Sequence, residues 1–436
     1  MLSVIGTGYL GATHAACMAE LGFDVIGIDT DATKITLLSQ GELPFYEPGL
    51  DDLLRKHVAT GKLRFSTNFE DLADADVHFI CVGTPQRKDG NAADLTYVNA
   101  ALEATASHAK AGSLIVGKST VPVGTADTLT ARLAEINPHV ELAWNPEFLR
   151  EGFAVEDTLR PNRLVVGVQS ARAEEQLREV YATLLKDEVP WISADLRTAE
   201  LVKVAANSFL ATKISFINAM AEICDAAGGD VTVLAKAIGY DPRIGNRFLQ
   251  AGIGFGGGCL PKDIRAFMAR AEELGADQAL EFLRDIDSIN LRARARIIDV
   301  AAEYGDLKGK KVFVLGAAFK PDSDDVRDSP ALDIAYGISQ RGARVVINDP
   351  KAMEPAAKRF PELEFIHDLI EGAKDAHLIL HLTEWKEYRA LAPEDFAKVV
   401  ANKVIIDGRN ALDGNAWRDA GFIYRAPGRP TLTPKK

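Results

Sequence analysis

The chain has 436 residues, 47% of them apolar, which is more than one hydrophobic core ordinarily serves, so two or three domains are expected. Its 62 acidic against 50 basic side chains give a net charge of -12, which excludes a general nucleic-acid or anionic-membrane surface and leaves any anionic ligand to a local basic cluster. Four scattered cysteines, Cys17, Cys81, Cys224 and Cys259, form no CxxC pair and exclude a disulfide framework; with no signal-peptide pattern and no apolar run of membrane-spanning length, a metal-free protein of the reducing cytoplasm is expected.

Residues 2–5 are a short apolar run that enters Gly6-Thr7-Gly8-Tyr9-Leu10-Gly11, and a helical pattern through Ala15, Ala16, Met18, Ala19 and Leu21 follows, stopping at Gly22. A second strand over residues 25–28 ends on Asp29. The glycines let the backbone approach a pyrophosphate, the helix N-terminus favours its charge, and Asp29 is spaced to bond the adenosine ribose hydroxyls. That carboxylate repels a 2′-phosphate and so favours NAD over NADP, while Lys34 is a cation that tolerates one. A purely structural glycine turn is the alternative.

Further strands are expected at 77–82, opening onto Gly83-Thr84-Pro85, and at 114–117, opening onto Lys118-Ser119-Thr120-Val121-Pro122. Both loops fall beyond the carboxyl ends of strands, where doubly wound sheets bind ligands, although ordinary turn chemistry accounts for either one alone. A strand at 141–144 precedes Asn145-Pro146-Glu147-Phe148-Leu149-Arg150-Glu151-Gly152; if this segment is helical, Glu147 and Glu151 share a face.

From Thr198 to about Tyr304 strand signals cease, and a long helix over 201–223 sets Lys203 and Asn207 one turn apart. A basic loop carries Arg243 and Arg247. Residues 254–263 read Gly-Phe-Gly-Gly-Gly-Cys-Leu-Pro-Lys-Asp, with a helical pattern from Pro261 through Ile264, Phe267, Met268 and Ala271. Cys259 thus stands just ahead of a helix N-terminus beside Lys262, and both favour the thiolate. A small buried cysteine in a tight turn is the alternative.

A charged linker at 308–311 leads into a second doubly wound unit, with strands at 312–315, 344–348 ending on Asp349, 378–382 and 404–406. Its turn, Gly316-Ala317-Ala318, lacks the GxGxxG spacing, so no second dinucleotide site is expected; Lys320, Arg327 and Arg409 leave strand ends as cations suited to a diphosphate. The Pro-, Gly- and Lys-rich tail after Arg425 reads as disordered.

Taken in order, residues 6–11, 83–85, 118–122, 145–152, 203–207, 255–263 and 316–327 resemble the motifs of the nucleotide-sugar 6-dehydrogenases, specifically the UDP-glucose branch of the UDP-glucose/GDP-mannose dehydrogenase group, over nearly the whole chain. The resemblance implies an α/β protein of two doubly wound Rossmann-like domains joined by a central helical segment with a long linking helix. It divides the chain into an NAD-binding domain at 1–197, a helical dimerisation domain at 198–306, a UDP-sugar-binding domain at 307–425 and the tail at 426–436. It implies oxidation of a sugar C6 alcohol to a carboxylate by two hydride transfers to NAD, with a Cys259 thioester between them and no metal, nucleic acid or membrane partner. Lys203 and Asn207 would stabilise oxygen charge, Asp263 would assist proton transfer, and Thr120, Glu147 and Glu151 would position water or relay protons. NAD would lie against Gly6, Gly8, Tyr9, Leu10, Gly11, Asp29, Lys34, Thr84, Pro85, Thr120, Glu151, Lys262 and Arg327. The sugar nucleotide would meet Glu147, Phe148, Leu149, Lys203, Asn207, Arg243, Phe255, Gly256, Cys259, Phe319, Lys320 and Arg409, with Arg243 or its neighbours reaching a partner subunit of a homodimer or larger homo-oligomer. Three rivals stand beside this reading: the same chemistry on GDP-mannose or a UDP-N-acetylhexosamine, a two-electron hydroxy-acid dehydrogenase in which Cys259 is structural, and a nucleotide-sugar-binding protein without turnover.

Overall fold

Residues 1–434 are described by a computed structural model. They pack as two compact units, Met1–Ala206 with Lys262–Asp277, and Asn207–Pro261 with the chain from Gln278 onward. The division by packing falls inside a helix and places residues 262–277 with the first unit.

The strands of the first unit are β1 (Leu2–Ile5), β2 (Val25–Ile28), β3 (Leu63–Ser66), β4 (Val77–Ile80), β5 (Leu114–Gly117), β6 (Glu141–Trp144), β7 (Leu164–Gly167) and β8 (Trp191–Ala194). They form one sheet in the order β3-β2-β1-β4-β5-β6-β7-β8, parallel except between β6 and β7. The run from β3 to β6 is the strand order of a doubly wound dinucleotide fold. Because helices cover both faces, β1, β2, β4, β5 and β7 are buried along their whole length and read as nearly continuous apolar runs. Alternate side chains feed the two faces: Val4, Phe79 and Val116 pack with Ala12, Ala15 and Ala16, while Ile5, Ile80 and Ile115 pack with Leu102 and Leu129.

The second unit repeats the plan with β9 (Lys311–Leu315), β10 (Arg344–Asn348), β11 (Glu364–Phe365), β12 (Leu378–His381), β13 (Val404–Asp407) and β14 (Ile423–Arg425). Its sheet, β11-β10-β9-β12-β13-β14, is parallel throughout. A 32-residue helix, Leu196–Ala227, joins the two units, with the division falling between Ala206 and Asn207. Among the described residues no helix is long and apolar enough to cross a membrane.

The expectation of disorder beyond Arg425 does not hold over 426–434. Tyr424 and Leu432 form an antiparallel bridge, the Gly428 N–H donates to Asp225 Oδ1 at 3.1 Å, and Ala426 is buried. Gly428 adopts a left-handed conformation with Ala221 so close that a Cβ would lie 2.7 Å from it. Proline and glycine here shape a turn folded onto the unit, which composition alone does not separate from a loose tail. Lys435 and Lys436 lie outside the described residues.

Candidate active site

In the first unit the turn after β1 is built for a dinucleotide. Gly6 has φ +86°, and a Cβ there would stand 2.7 Å from the Val82 side chain; at Gly11 a Cβ would fall 1.8 Å from the Gly6 carbonyl oxygen, so turn and helix can close only on glycine. At Gly8, which precedes the Tyr9–Glu20 helix, nothing lies within 4 Å of that position, leaving room for a phosphate at the helix N-terminus. Asp29, at the end of β2, accepts from the Thr7 N–H at 2.8 Å and from Lys34 Nζ at 2.8 Å. Burial pushes its carboxyl up, but Lys34 and the N–H groups of Asp31 and Thr7 outweigh this and hold it below the usual carboxylate range. The residues present therefore fit NAD, and Lys34 is tied to the very carboxylate that would meet the ribose.

Tyr9 donates its hydroxyl to Glu47, and burial raises the phenol pKa. Glu47 is 1% exposed and also accepts from the N–H groups of Gly152 and Ala154 at 2.6 and 2.7 Å, so it ties the segment after β6 to the dinucleotide helix beside Leu10. Sequence reasoning missed Glu47, because an acid in a loop between Tyr46 and Pro48 carries no periodic signal.

Residues 145–150 are not helical, so the shared face expected for Glu147 and Glu151 does not form. Pro146 disfavours helix at Asn145, and Glu147 instead turns one oxygen back to the Leu149 N–H at 2.7 Å. Its other oxygen takes Lys203 Nζ at 2.9 Å, with the two side chains 12% and 6% exposed. Phe148 lies beneath both Lys203 Nζ and the Arg163 guanidinium, 5.6 and 3.9 Å from its centroid. Below them Lys118 Nζ donates to Asn145 Oδ1 at 2.9 Å, and burial pushes its pKa down to about 8.

A second set gathers at the ends of β4 and β5. Thr84 Oγ1 donates to the Thr120 carbonyl at 2.8 Å, Lys262 Nζ stands 3.4 Å from Thr84 Oγ1, and Lys262 pairs with Asp263 at 2.6 Å. Asp263 is 2% exposed and lies in the first turn of the Leu260–Glu273 helix, where the dipole favours a carboxylate. Pro85 is exposed beside Thr84.

The second unit carries the cysteine. Cys259 is exposed and immediately precedes the Leu260–Glu273 helix, whereas Cys17, Cys81 and Cys224 are buried and burial pushes the first two up to about 12. The three glycines ahead of it are packed over. A Cβ on Gly256 would stand 2.1 Å from the Asp328 carbonyl oxygen, one on Gly257 2.8 Å from the Phe319 ring, and one on Gly258 2.3 Å from the Arg327 guanidinium carbon. Arg327 also pairs with Asp325, and Lys320 Nζ sits 5.3 Å from the Phe319 ring centroid.

Phe255 is buried, its N–H donating to Asn290 Oδ1 at 2.7 Å and its carbonyl accepting from Asn290 Nδ2 and Arg294 Nη2 at 3.0 and 2.7 Å. Asn290 and Arg294 were missed, although a polar pair one turn apart on the inner face of the Phe282–Ala302 helix was the signal available. Arg409 is partly buried, donating to the carbonyls of Leu382, Gly254 and Phe319 at 2.8, 3.1 and 2.8 Å and pairing with Glu384. It staples the glycine loop to the second sheet. Asn207 is 7% exposed on the long helix, and Arg243 is exposed and bound to Asp241.

In the second sheet Asp349 occupies the place that Asp29 holds in the first. It is fully buried and accepts from the N–H groups of Ala317 and Ala318 at 2.7 and 3.0 Å and from Trp385 Nε1. A carboxylate so engaged is closed to a ribose.

Family models of the UDP-glucose/GDP-mannose dehydrogenases match the chain in three parts: the NAD binding domain over residues 1–185, the central domain over 197–292 and the UDP binding domain over 313–414. The chain belongs to the UDP-glucose/GDP-mannose dehydrogenase family. Membership makes it an NAD-dependent dehydrogenase. It is 41% identical over 437 residues to a UDP-glucose 6-dehydrogenase of Rhizobium meliloti, covering 98% of this chain and 99% of that one. A UDP-glucose 6-dehydrogenase of Pseudomonas aeruginosa is 40% identical over 454 residues, covering 98% and 97%. Among solved structures, a UDP-glucose dehydrogenase from Pyrobaculum islandicum matches with a TM-score of 0.89 at 37% identity, covering 98% of each chain. A UDP-D-ManNAc dehydrogenase from Pyrococcus horikoshii matches at 0.87 and 28%, covering 98% and 99%.

Proposed function

We propose that the protein oxidises UDP-glucose at C6 to UDP-glucuronate, through a thiohemiacetal and then a thioester on Cys259. The observation that carries the reading is Cys259 itself, the exposed cysteine ahead of a helix N-terminus on glycines that admit no side chain. An aldehyde has no hydride to give until a nucleophile adds to its carbon. The Cys259 thiolate supplies that nucleophile: a C–S bond forms, the carbonyl oxygen takes a proton, and the adduct can be oxidised. The turn at Gly6–Gly11 with Asp29 would hold NAD, which when bound would supply the hydride acceptor, one NAD molecule for each of the two oxidations. Water then adds to the thioester carbonyl, the C–S bond breaks and the thiolate is regenerated.

The charge pattern of this sequence is met by pairs that recur in the first unit. Lys203 bonded to Glu147 is a buried ammonium able to stabilise an alkoxide or oxyanion, and Asp263 bonded to Lys262 is a buried carboxylate suited to proton transfer. Asn207, Thr120 and Glu151 take the supporting roles that the family resemblance assigns. Lys320 and Arg327 with Phe319 are the basic and aromatic surroundings for the UDP moiety, and Arg409 holds the loop behind them through the carbonyls of Gly254 and Phe319. UDP-glucose is favoured over an N-acetylated sugar because identity to the UDP-glucose dehydrogenases, 37 to 41%, exceeds the 28% to the UDP-D-ManNAc enzyme.

The second unit also suggests a homodimer. Phe209, Phe216 and Ile223 are exposed at seven-residue spacing on the long helix, and Val233 and Tyr240 repeat that spacing after it. Phe209, Phe216 and Ile223 lie on one face of the long helix, an apolar stripe suited to a second copy of the chain.

With limiting UDP-glucose and excess NAD, NADH should accumulate to two equivalents together with UDP-glucuronate. One equivalent with a released aldehyde would overturn the reading.

A further inference from the structure

The loop that carries Thr120 is held from outside the residues named so far. The Thr125–Ile136 helix begins at Gly124, which has φ +91° and no side chain to cap the free N–H groups of the first turn. Glu200, from the helix that also carries Lys203, supplies the cap: its two oxygens accept from the N–H groups of Gly124 and Ala126, each at 2.7 Å. Its side chain is almost wholly buried, 2% exposed, where a solvated surface acid would be ordinary. On the other side Arg270, two turns beyond Asp263 on its helix, donates from Nε to the Val123 carbonyl at 2.9 Å. Thr125 Oγ1 closes the turn on the Pro122 carbonyl, and Thr84 holds the carbonyl of Thr120 itself.

We propose that Glu200 and Arg270 are positioning residues which clamp the 120–126 loop between the helices bearing Lys203 and Asp263, so that Thr120 keeps its place relative to both. The proposal rests on the reading of Thr120, Lys203 and Asp263 as active-site groups. Neither Glu200 nor Arg270 needs to touch substrate. Their effect is geometric, and displacement of a reacting group by an ångström costs about a hundredfold in rate.

The clamp is also sensitive to protons. Burial pushes the Glu200 carboxyl up to about 7, with Asp127 acting in the same direction and the two N–H donors and Arg270 opposing. The charged groups around it are Asp127 on the capped helix, Arg197 on its own helix, where it pairs with Asp127, and Arg270 on the third. Protonation puts a hydrogen on one of the two oxygens, which then stops accepting, so one of the two caps is lost as pH falls through neutrality. Turnover should fall with it.

Glu200→Gln fixes the carboxyl in a neutral form that can accept at one atom only, and Arg270→Gln removes the other arm. Steady-state turnover of UDP-glucose from pH 6 to 9, with thermal unfolding of each variant, gives the activity readout; hydrogen exchange at the Gly124 and Ala126 amides gives a readout independent of catalysis. The expected result for Glu200→Gln is a kcat about ten- to a hundredfold lower, sugar and NAD KM values within about threefold, loss of the acid limb seen near neutrality in the wild type, and faster exchange at Gly124 and Ala126. Arg270→Gln should lower kcat while keeping that limb, and it decides the matter if Glu200→Gln does not fold. A folded Glu200→Gln with wild-type kcat, pH profile and exchange would overturn the proposal, as would wild-type turnover in Arg270→Gln. A wild-type enzyme that fails to turn over UDP-glucose, yet shows slow exchange at both amides that Glu200→Gln abolishes, would overturn the substrate reading and leave the clamp standing.

Discussion

At the scale of single residues, the contrast among cysteines and carboxylates is set by solvent. Cys17 and Cys81 sit where an anion would be stripped of water, and their thiols are pushed up to about 12; Cys259 is exposed ahead of a helix N-terminus, where backbone N–H groups favour a thiolate. Cys259→Ser keeps size and position but removes the sulfur that must add to the aldehyde carbon and later leave. Acid formation should fall by about a thousandfold or more, while UDP-glucose affinity, measured by calorimetry, stays within about threefold. Wild-type production of UDP-glucuronate by this variant would exclude the thioester route. Asp29 and Asp349 show the same dependence on surroundings. Each ends the second strand of its sheet, yet only the first is left partly open, since Asp349 is buried and occupied by Ala317, Ala318 and Trp385.

Among the elements, the glycine turns separate two demands that a sequence pattern merges. Gly11 is required by packing, because a Cβ would overlap the Gly6 carbonyl oxygen at 1.8 Å; Gly8 faces open space. Gly11→Ala should therefore lower stability by several kcal/mol, about 2 to 4, as well as NAD affinity. Gly8→Ala should melt within a few degrees of the wild type but bind NADH more weakly by about tenfold or more, because the added methyl occupies the approach of the pyrophosphate. Fluorescence titration with NADH and thermal unfolding read the two effects separately, and equal losses of stability in both variants would refute the distinction. Nine strands were legible as apolar runs and the long helix by its spacing, whereas β3, β7, β8, β11 and β14 were not expected. Residues 145–150 were not, since two carboxylates four apart are compatible with a helix, and only the Lys203 and Leu149 partners of Glu147 decide for an extended segment.

For the whole molecule, Phe209, Phe216 and Ile223 are exposed at seven-residue spacing on the long helix. If the dimer proposed above forms through this stripe, Phe209→Glu combined with Phe216→Glu should leave only monomer in analytical ultracentrifugation, since two charges would be buried unpaired in the interface. A dimer of unchanged stability in that variant would place the interface elsewhere. Much of the plan follows from sequence by itself: two doubly wound sheets, one glycine turn fit for NAD and one not, a linking helix, and the motif order that identifies the family. These are encoded locally, because burial on both faces demands apolar runs and a phosphate turn demands glycine at fixed spacing. Tertiary structure alone decided which charges are spent on the protein and which are held for chemistry. Glu47, Glu200, Asn290 and Arg294 acquire their roles from backbone groups far away in the chain, and Arg409 from three carbonyl oxygens. A polar side chain buried against a distant backbone leaves no periodic trace in sequence, since its partner is a peptide group that every residue carries.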